Sequence, residues 1–334
     1  MLGYYTVLGD VFRARAYRNA LVALDNDTLG SIGKSLKEKI KEIQDTGHLS
    51  ALEDLEKTPM IKAYTELEKV SGLGPKQIKT LIETQGIKGF ADFKRRVLKG
   101  EIEVSRQQML GIKYYDDLQK KVPRAEIKEL SRYIFSIITG TAHAVRATAH
   151  AREDAVSMDE TDARPLGTLQ RDIVGSYRRG TKESSDIDVL IGTQVHSPTA
   201  TSGVVPSANF IDALHKNFTQ SPIYVDYIVK GATRYTLLVR LNARKPVRQL
   251  DIRYIPLVSY PAGLLYFTGS KDFNTSMRQY AKKKGYLLNE YGLYRIRGVQ
   301  RTQERVDTKT EKDIFEALGL HYIAPSKRTF FSAK

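Results

Sequence analysis

Asp186 and Asp188 sit in the run Asp-Ile-Asp-Val-Leu-Ile, shortly after the glycine-bounded stretch Gly175-Ser176-Tyr177-Arg178-Arg179-Gly180. The run alternates and then turns continuously apolar, which predicts a buried strand. Residues two apart on a strand face the same way, so both carboxylates present to one point. The glycine-bounded turn offers backbone N–H groups, a hydroxyl and two guanidinium groups suited to phosphates. Paired acids that can grip divalent metal beside a phosphate cradle are equipment for nucleotidyl transfer.

A two-metal site needs a third acid. In Arg248-Gln249-Leu250-Asp251-Ile252-Arg253-Tyr254-Ile255, Leu250 and Ile252 alternate with Asp251 and Arg253, giving one apolar and one charged strand face. Asp226 in Tyr224-Val225-Asp226-Tyr227 is the rival, although an isolated strand aspartate is more often an edge residue. Asp251 is favoured because Arg253 can orient it and position a phosphate. In that arrangement Asp186 and Asp188 bridge two Mg²⁺ ions, with Mn²⁺ as a substitute. Asp251 binds only the ion that receives an attacking 3′-hydroxyl, while Ser176 and Arg179 hold the departing phosphates. The six histidines show no ligand spacing, and the absence of cysteine excludes disulfides, thiol catalysis and cysteine-ligated zinc.

The elements that must position these acids follow from hydrophobic period. After Pro123 a helical stretch runs to about residue 152, with a strand near 169–174. Strands follow at 186–191, 223–230, 235–241 and 249–257, and a helix around 207–218. The Thr-, Ser-, Pro- and Gly-rich stretch 192–207 reads as a loop. Mixed strands and helices predict an α/β or α+β catalytic domain.

The first hundred residues differ in character. Gly30-Ser31-Ile32-Gly33 precedes the helical spacing of Leu36, Ile40 and Ile43, and Val70-Ser71-Gly72-Leu73-Gly74-Pro75 precedes Ile78, Leu81 and Ile82. Superposing Gly33 on Gly74 brings Ile32 onto Leu73 and Ile40 onto Leu81. Two glycine-capped helical turns would suffice to explain one copy. Two matching copies followed by lysines, Lys34 and Lys76 foremost, favour helix-hairpin-helix motifs that aim N–H groups at nucleic-acid phosphates while their carbonyls hold a monovalent cation.

With 334 residues, 41% of them hydrophobic, the chain can bury a real core across two or three domains. Its 53 Lys+Arg against 38 Asp+Glu leave a charge of +15, which favours a polyanionic partner. No stretch approaches the length of a membrane span and no signal-peptide pattern opens the chain, so an intracellular, soluble protein is expected.

These motifs resemble the family X DNA polymerases, especially the beta-type enzymes. The Gly-Ser…Asp-Ile-Asp element alone is shared with the wider nucleotidyltransferase superfamily. The more specific match is Leu265-Tyr266-Phe267-Thr268-Gly269-Ser270, then Phe273-Asn274, Met277-Arg278, Asn289-Glu290-Tyr291 and Glu311-Lys312-Asp313-Ile314-Phe315. The resemblance implies an α+β multidomain chain. Residues 1–57 would be a helical lyase-like domain with the first hairpin, and 58–123 a helical DNA-binding subdomain with the second. Residues 124–257 would be a catalytic palm with a mixed sheet, and 258–334 a nucleotide-selecting subdomain.

It also implies roles. Tyr266, Phe267 and the backbone near Gly269 would lie against the sugar of an incoming dNTP, with Ser185 near its phosphates. Asn274 would reach the base edge. Arg278 would contact the template, held by Glu290 and Tyr291. Carbonyls near Leu29 and Ile32, and near Val70 and Leu73, would hold Na⁺ or K⁺, and Gly33, Gly72 and Gly74 would approach DNA. Lys39 matches the family's Schiff-base nucleophile for releasing 5′-deoxyribose phosphate, with Arg13 and Tyr17 in its phosphate pocket. The chain departs from the pattern at Ser35, His48 and Ala51, where lysines are expected, and at Gln249 and Lys271. The function implied is filling of short gaps in nicked or gapped duplex DNA during base excision repair. A monomer suffices; the compartment would be the nucleus in a eukaryote, otherwise cytoplasm, mitochondrion or virion.

Two other readings compete. A non-catalytic DNA-binding protein is disfavoured because a buried acid cluster without metal is costly. A nucleotidyltransferase acting on RNA or without a template is disfavoured by the hairpins and the Tyr-Phe-Thr-Gly-Ser element.

Overall fold

A computed structural model of the chain describes residues 1–25, 30, 32–153, 169–193, 207–297 and 302–329. It divides into two compact units, Met1–Tyr115 and Asp116–Lys334. No described helix is long and apolar enough to cross a membrane.

The first unit is helical, and its two hairpins are built alike. Helices Val11–Asp25 and Lys34–Thr46 form one, and Pro59–Leu67 and Pro75–Glu83 the other. Each second helix is entered through an extended glycine, Gly33 (φ −63°, ψ 154°) and Gly74 (φ −88°, ψ 159°). Pro75 sits in the first turn, where its missing N–H leaves no bond unmade. Ile32 clusters with Ala20, Ala23, Leu36 and Ile40, and Leu73 with Ile78 and Leu81, so superposed residues fill equivalent places. Gly72 has φ +88°, and a Cβ there would stand 2.9 Å from the Gln107 side chain.

The second unit is organised by a five-stranded mixed sheet. Its strands lie in the order Leu169–Ile173, Ile187–Thr193, Arg248–Pro256, Arg234–Val239, Tyr224–Lys230. Only Ile187–Thr193 and Arg248–Pro256 pair in parallel. Parallel neighbours need a long crossover, and here it carries the helix Ser207–Thr219 and the strands Tyr224–Lys230 and Arg234–Val239. On one sheet face Ile187, Val189, Ile191, Leu250 and Ile252 pack beneath helices Arg124–Glu153 and Ser207–Thr219 through Ile127, Leu130, Ile134, Phe210 and Leu214. Each such side chain contributes roughly 1.5–3 kcal/mol by leaving water. On the other face Leu190 and Ile255 pack against Tyr260, in the helix Tyr260–Thr268. A Cβ at Gly192 would stand 2.4 Å from the Tyr260 ring, so strand and helix close there only over a glycine.

Beyond the sheet, helices Lys271–Lys283 and Glu311–Ala317 and the antiparallel strands Tyr286–Asn289, Gly292–Arg297 and Thr302–Arg305 enclose Phe273, Met277, Leu293, Ile314 and Phe315. One expectation shifts slightly: Asp186 lies in the bend before its strand rather than on it, while the helix expected to run to about residue 152 ends at Glu153. The polar stretch from Asp154 and most of the expected 192–207 loop lie outside the described residues, while Gly192 and Thr193 end their strand.

The acid-bearing strand Arg248–Pro256 is anchored by an ion pair with both side chains 4% exposed, Arg248 Nε to Glu126 Oε1 (2.8 Å) and Nη2 to Oε2 (3.1 Å). Arg248 Nη1 also donates to the Lys120 and Lys121 carbonyls. Removing one partner of a buried pair strands the other's charge, so Glu126→Ala should lower stability by about 3–5 kcal/mol. Urea denaturation checks this, and a loss below about 1 kcal/mol would show the pair is solvated.

Candidate active site

The parallel register sets Asp188 directly opposite Asp251, and Asp186 enters from the preceding bend. One oxygen from each of the three lies within 4.8 Å of the others. Asp226 does not join them. It lies on the edge strand Tyr224–Lys230 at a register irregularity, where its Oδ1 accepts from the Tyr227 N–H (2.8 Å).

Burial, then repulsion from Asp186 and Asp251, pushes the Asp188 carboxyl up to about 7, with Arg179 and Arg253 pulling the other way. Burial and Asp251 likewise raise Asp186, against Lys121. Gly175 makes room for this cluster: it has φ +57°, and a Cβ there would fall 2.1 Å from Asp188 Oδ2.

Asp251 is held at both oxygens. Thr236 Oγ1 and Arg234 Nη2 (3.3 Å) donate to Oδ1, and Gln249 Nε2 donates to Oδ2 (2.6 Å). Arg234 Nε also donates to Thr236 Oγ1 (3.1 Å). Gln249 precedes Asp251 by two residues and shares its strand face, so period alone could have found it. Thr236 faces Asp251 across the antiparallel pair with Arg234–Val239, a partnership that only the strand order reveals.

The phosphate-cradle residues open a cleft of about 600 Å³. Gly175, Ser176, Arg179, Ser185, Asp186 and Asp188 line one wall, and Tyr266, Phe267, Gly269, Lys271, Asn274 and Arg278 the other. Ser176 Oγ donates to Ser184 Oγ (2.8 Å), Lys121 Nζ to Ser185 Oγ (2.7 Å), and Arg179 Nη1 to the Thr268 carbonyl (2.6 Å).

Of the two arginines expected at phosphates, only Arg179 lines this cleft. Arg178 instead joins the cleft's two walls, donating to Thr268 Oγ1 (2.7 Å) and to both Glu311 oxygens (3.0 and 2.7 Å). Glu311 also accepts from Arg328 Nη1 (2.6 Å), and the two arginines hold its carboxyl below its ordinary value against the opposing effect of burial. The distance in sequence between these partners hid the network.

On the far wall Tyr266 and Phe267 meet edge to face, with ring centres 4.9 Å apart. Arg253 stands 5.8 Å from the Phe267 ring centre. Arg278 lies 4.7 Å over the Tyr266 ring and pairs with Glu290 (3.2 Å). Asn274 Nδ2 donates to the Tyr266 carbonyl (2.6 Å), and Tyr291 is exposed beside them in sequence.

In the helical unit Lys39 Nζ stands 5.7 Å over the Tyr17 ring. Tyr5 stacks on Tyr17 (5.6 Å), and Arg13 lies over Tyr5 (5.3 Å) while pairing with Asp10 (3.3 Å). The Tyr17 hydroxyl is buried and has no hydrogen-bond partner among the described residues. Lys34 and Pro75-Lys76 open the second helices of the two hairpins. The Val70 carbonyl accepts the Leu73 N–H (3.1 Å) and the Gly72 carbonyl accepts Gln108 Nε2 (2.9 Å). Leu29 lies outside the described residues.

The family model for the DNA polymerase beta palm matches residues 145–257, and that for the DNA polymerase beta thumb matches 263–329. DNA polymerase lambda of Rattus norvegicus is 30% identical over 344 residues, covering 97% of this chain and 54% of the relative. DNA polymerase lambda of Arabidopsis thaliana is 26% identical, covering 98% and 60%, and DNA nucleotidylexotransferase of Xenopus laevis is 24% identical, covering 89% and 58%. The chain thus spans little more than half the length of these curated relatives. With palm and thumb matched, and similarity to two lambda polymerases along nearly the whole of this chain, the chain belongs to family X of the DNA polymerases.

Proposed function

We propose that this chain is a DNA-directed DNA polymerase that extends a primer 3′-hydroxyl with dNMP in short gaps of duplex DNA during base excision repair. One observation carries this function: Asp186, Asp188 and Asp251 converge beside a cleft whose far wall is Tyr266–Asn274. Four segments would divide the work: a lyase-like domain (1–57), a DNA-binding subdomain (58–123), a palm (124–257) and a nucleotide-selecting subdomain (258–334).

The carboxylates fit a divalent cation, because their proximity and the raised proton affinity of Asp188 mark a negative charge that a cation would offset. All three would hold Mg²⁺ or Mn²⁺, which supplies charge neutralisation at the phosphates and activation of the 3′-hydroxyl. Asp251, fixed by Thr236, Arg234 and Gln249, accepts the hydroxyl proton. Arg179, Ser176 and Ser185 hold the triphosphate, with pyrophosphate leaving. Tyr266 and Phe267 press on the sugar, Asn274 reaches the base, and Arg278 meets the template with Glu290 and Tyr291.

The hairpins grip the two backbones beside a gap through Gly33, Lys34, Gly72, Gly74 and Lys76, with Na⁺ or K⁺ at the Leu29, Ile32, Val70 and Leu73 carbonyls. Lys39 serves a second activity. Its neutral amine attacks the sugar aldehyde of a 5′-deoxyribose phosphate and water leaves, forming a Schiff base. β-Elimination then breaks the C–O bond to the DNA 5′-phosphate, and water releases the sugar product. Arg13 and Tyr17 position the sugar phosphate. One copy of the chain carries every role.

Primer extension on a one-nucleotide gap bearing a 5′-deoxyribose phosphate tests both activities. Asp251→Ala should slow insertion roughly 10²–10⁴-fold and spare sugar release, while Lys39→Ala should do the reverse. Absence of templated insertion by the native chain would overturn the polymerase assignment, and addition without a template would favour a terminal-transferase activity.

Thr236→Val combined with Gln249→Ala loosens Asp251 without touching the nucleotide. It should lower kcat roughly 10–100-fold with KM for dNTP little changed, and a loss confined to KM would contradict this positioning role.

The raised Asp188 carboxyl gives a pH signature. The folded chain keeps a proton that the unfolded chain gives up between 3.8 and about 7, so metal-free stability should fall as pH rises through that window. Thermal melts should show the Mg²⁺ gain largest above it, and Asp188→Asn should flatten both trends.

A further inference from the structure

A second groove, of about 530 Å³, lies between the helix Lys271–Lys283 and the strands Tyr286–Asn289 and Gly292–Arg297. It adjoins the cleft at Arg278, the one described residue that lines both. Along the helix Thr275 faces the cleft, Arg278 faces both spaces, and Gln279 and Lys282 face only the groove. These are neighbours three and four residues apart on one helical face.

The groove floor is apolar through Leu287, Leu288 and Ile296, with Tyr286 beside them. Its rim is cationic. Lys282 is exposed there, and Lys283 and Lys284 continue the run where the helix ends. Arg295 lies 5.7 Å over the Tyr286 ring and donates to its hydroxyl (3.3 Å). None of the described residues lining the groove is acidic. The three lysines have no part in the chemistry above.

An apolar floor with an aromatic ring accepts stacked bases, and a rim of lysine and arginine accepts the phosphates between them. An acidic peptide would use the rim and leave the floor unmatched. Arg278 and Lys282 stand roughly 6 Å apart along the helix axis, so a strand met by Arg278 runs on into the groove.

We propose that this groove binds single-stranded DNA, the unpaired 5′ stretch of the template beyond the base being copied. It presupposes the polymerase activity proposed above and adds a path for the template in gaps longer than one nucleotide.

Fluorescence anisotropy with the full chain and no dNTP tests it, on primer–template duplexes with a 5′ overhang of one nucleotide or of about eight. The native chain should bind the long overhang about five- to tenfold more tightly, the scale of one stacked base. Lys282→Ala and Tyr286→Ala should each remove most of that gain and leave the short overhang unaffected. Lys282→Ala should also reduce the salt dependence on the long overhang by about 0.7 in slope. Equal affinity for both overhangs, or a gain that survives both substitutions, would overturn the proposal. So would a polyaspartate competing as well as an oligonucleotide of equal charge, since that marks a surface blind to bases. Templated insertion on the short overhang separates the two assignments. Insertion without an overhang gain sinks the groove alone, and a gain without insertion sinks the polymerase while leaving a single-strand site.

Discussion

Three carboxylates are held together against their own repulsion, and most of the second unit can be understood as the means of doing so. Pairing Ile187–Thr193 with Arg248–Pro256 in parallel sets Asp188 beside Asp251. The apolar face of those strands keeps the register, because a slip of one residue would turn Val189 and Ile252 toward the cleft and the acids into the core. Hydrophobic burial on one face thus supplies the free energy that confines charge on the other.

The confinement is local as well. Thr236, Arg234 and Gln249 occupy both oxygens of Asp251, while Asp188 has charge neighbours in Arg179 and Arg253 and a bare glycine at position 175. Asp251 is thereby fixed in direction, and Asp188 is left as the acid most eager for a counter-charge. That asymmetry suits the proposed division, in which all three would hold a cation and Asp251 alone would also take a proton. The far wall is brought to these acids by Arg178, whose bonds to Thr268 and Glu311 join the sheet to the elements that follow it.

How much of this was legible depends on sequence distance. Asp186 and Asp188 stand out because their spacing and the glycine turn are local, and Asp251 because its strand alternates. The hairpins are legible because the pattern occurs twice, with Ile32 and Leu73 filling matching places. Arg178 was misread, since its basic neighbour and the nearby glycines pointed to phosphate, whereas its partner Glu311 lies 133 residues away. Thr236 and Arg234 were silent because nothing within their own strand marks which strand will pair with it. The gathering of Lys39, Tyr17 and Arg13 came only through family resemblance, as no period or spacing links a lysine on one helix to rings on another.

The Glu311 junction also sets an order of assembly. During synthesis the sheet is complete once Pro256 has emerged, and the three acids can then stand in place. Glu311 and Arg328 follow well behind, and only with them is the wall of Tyr266 and Phe267 fastened to Arg178. A nascent chain therefore has its three acids before the wall that faces them is fastened in place.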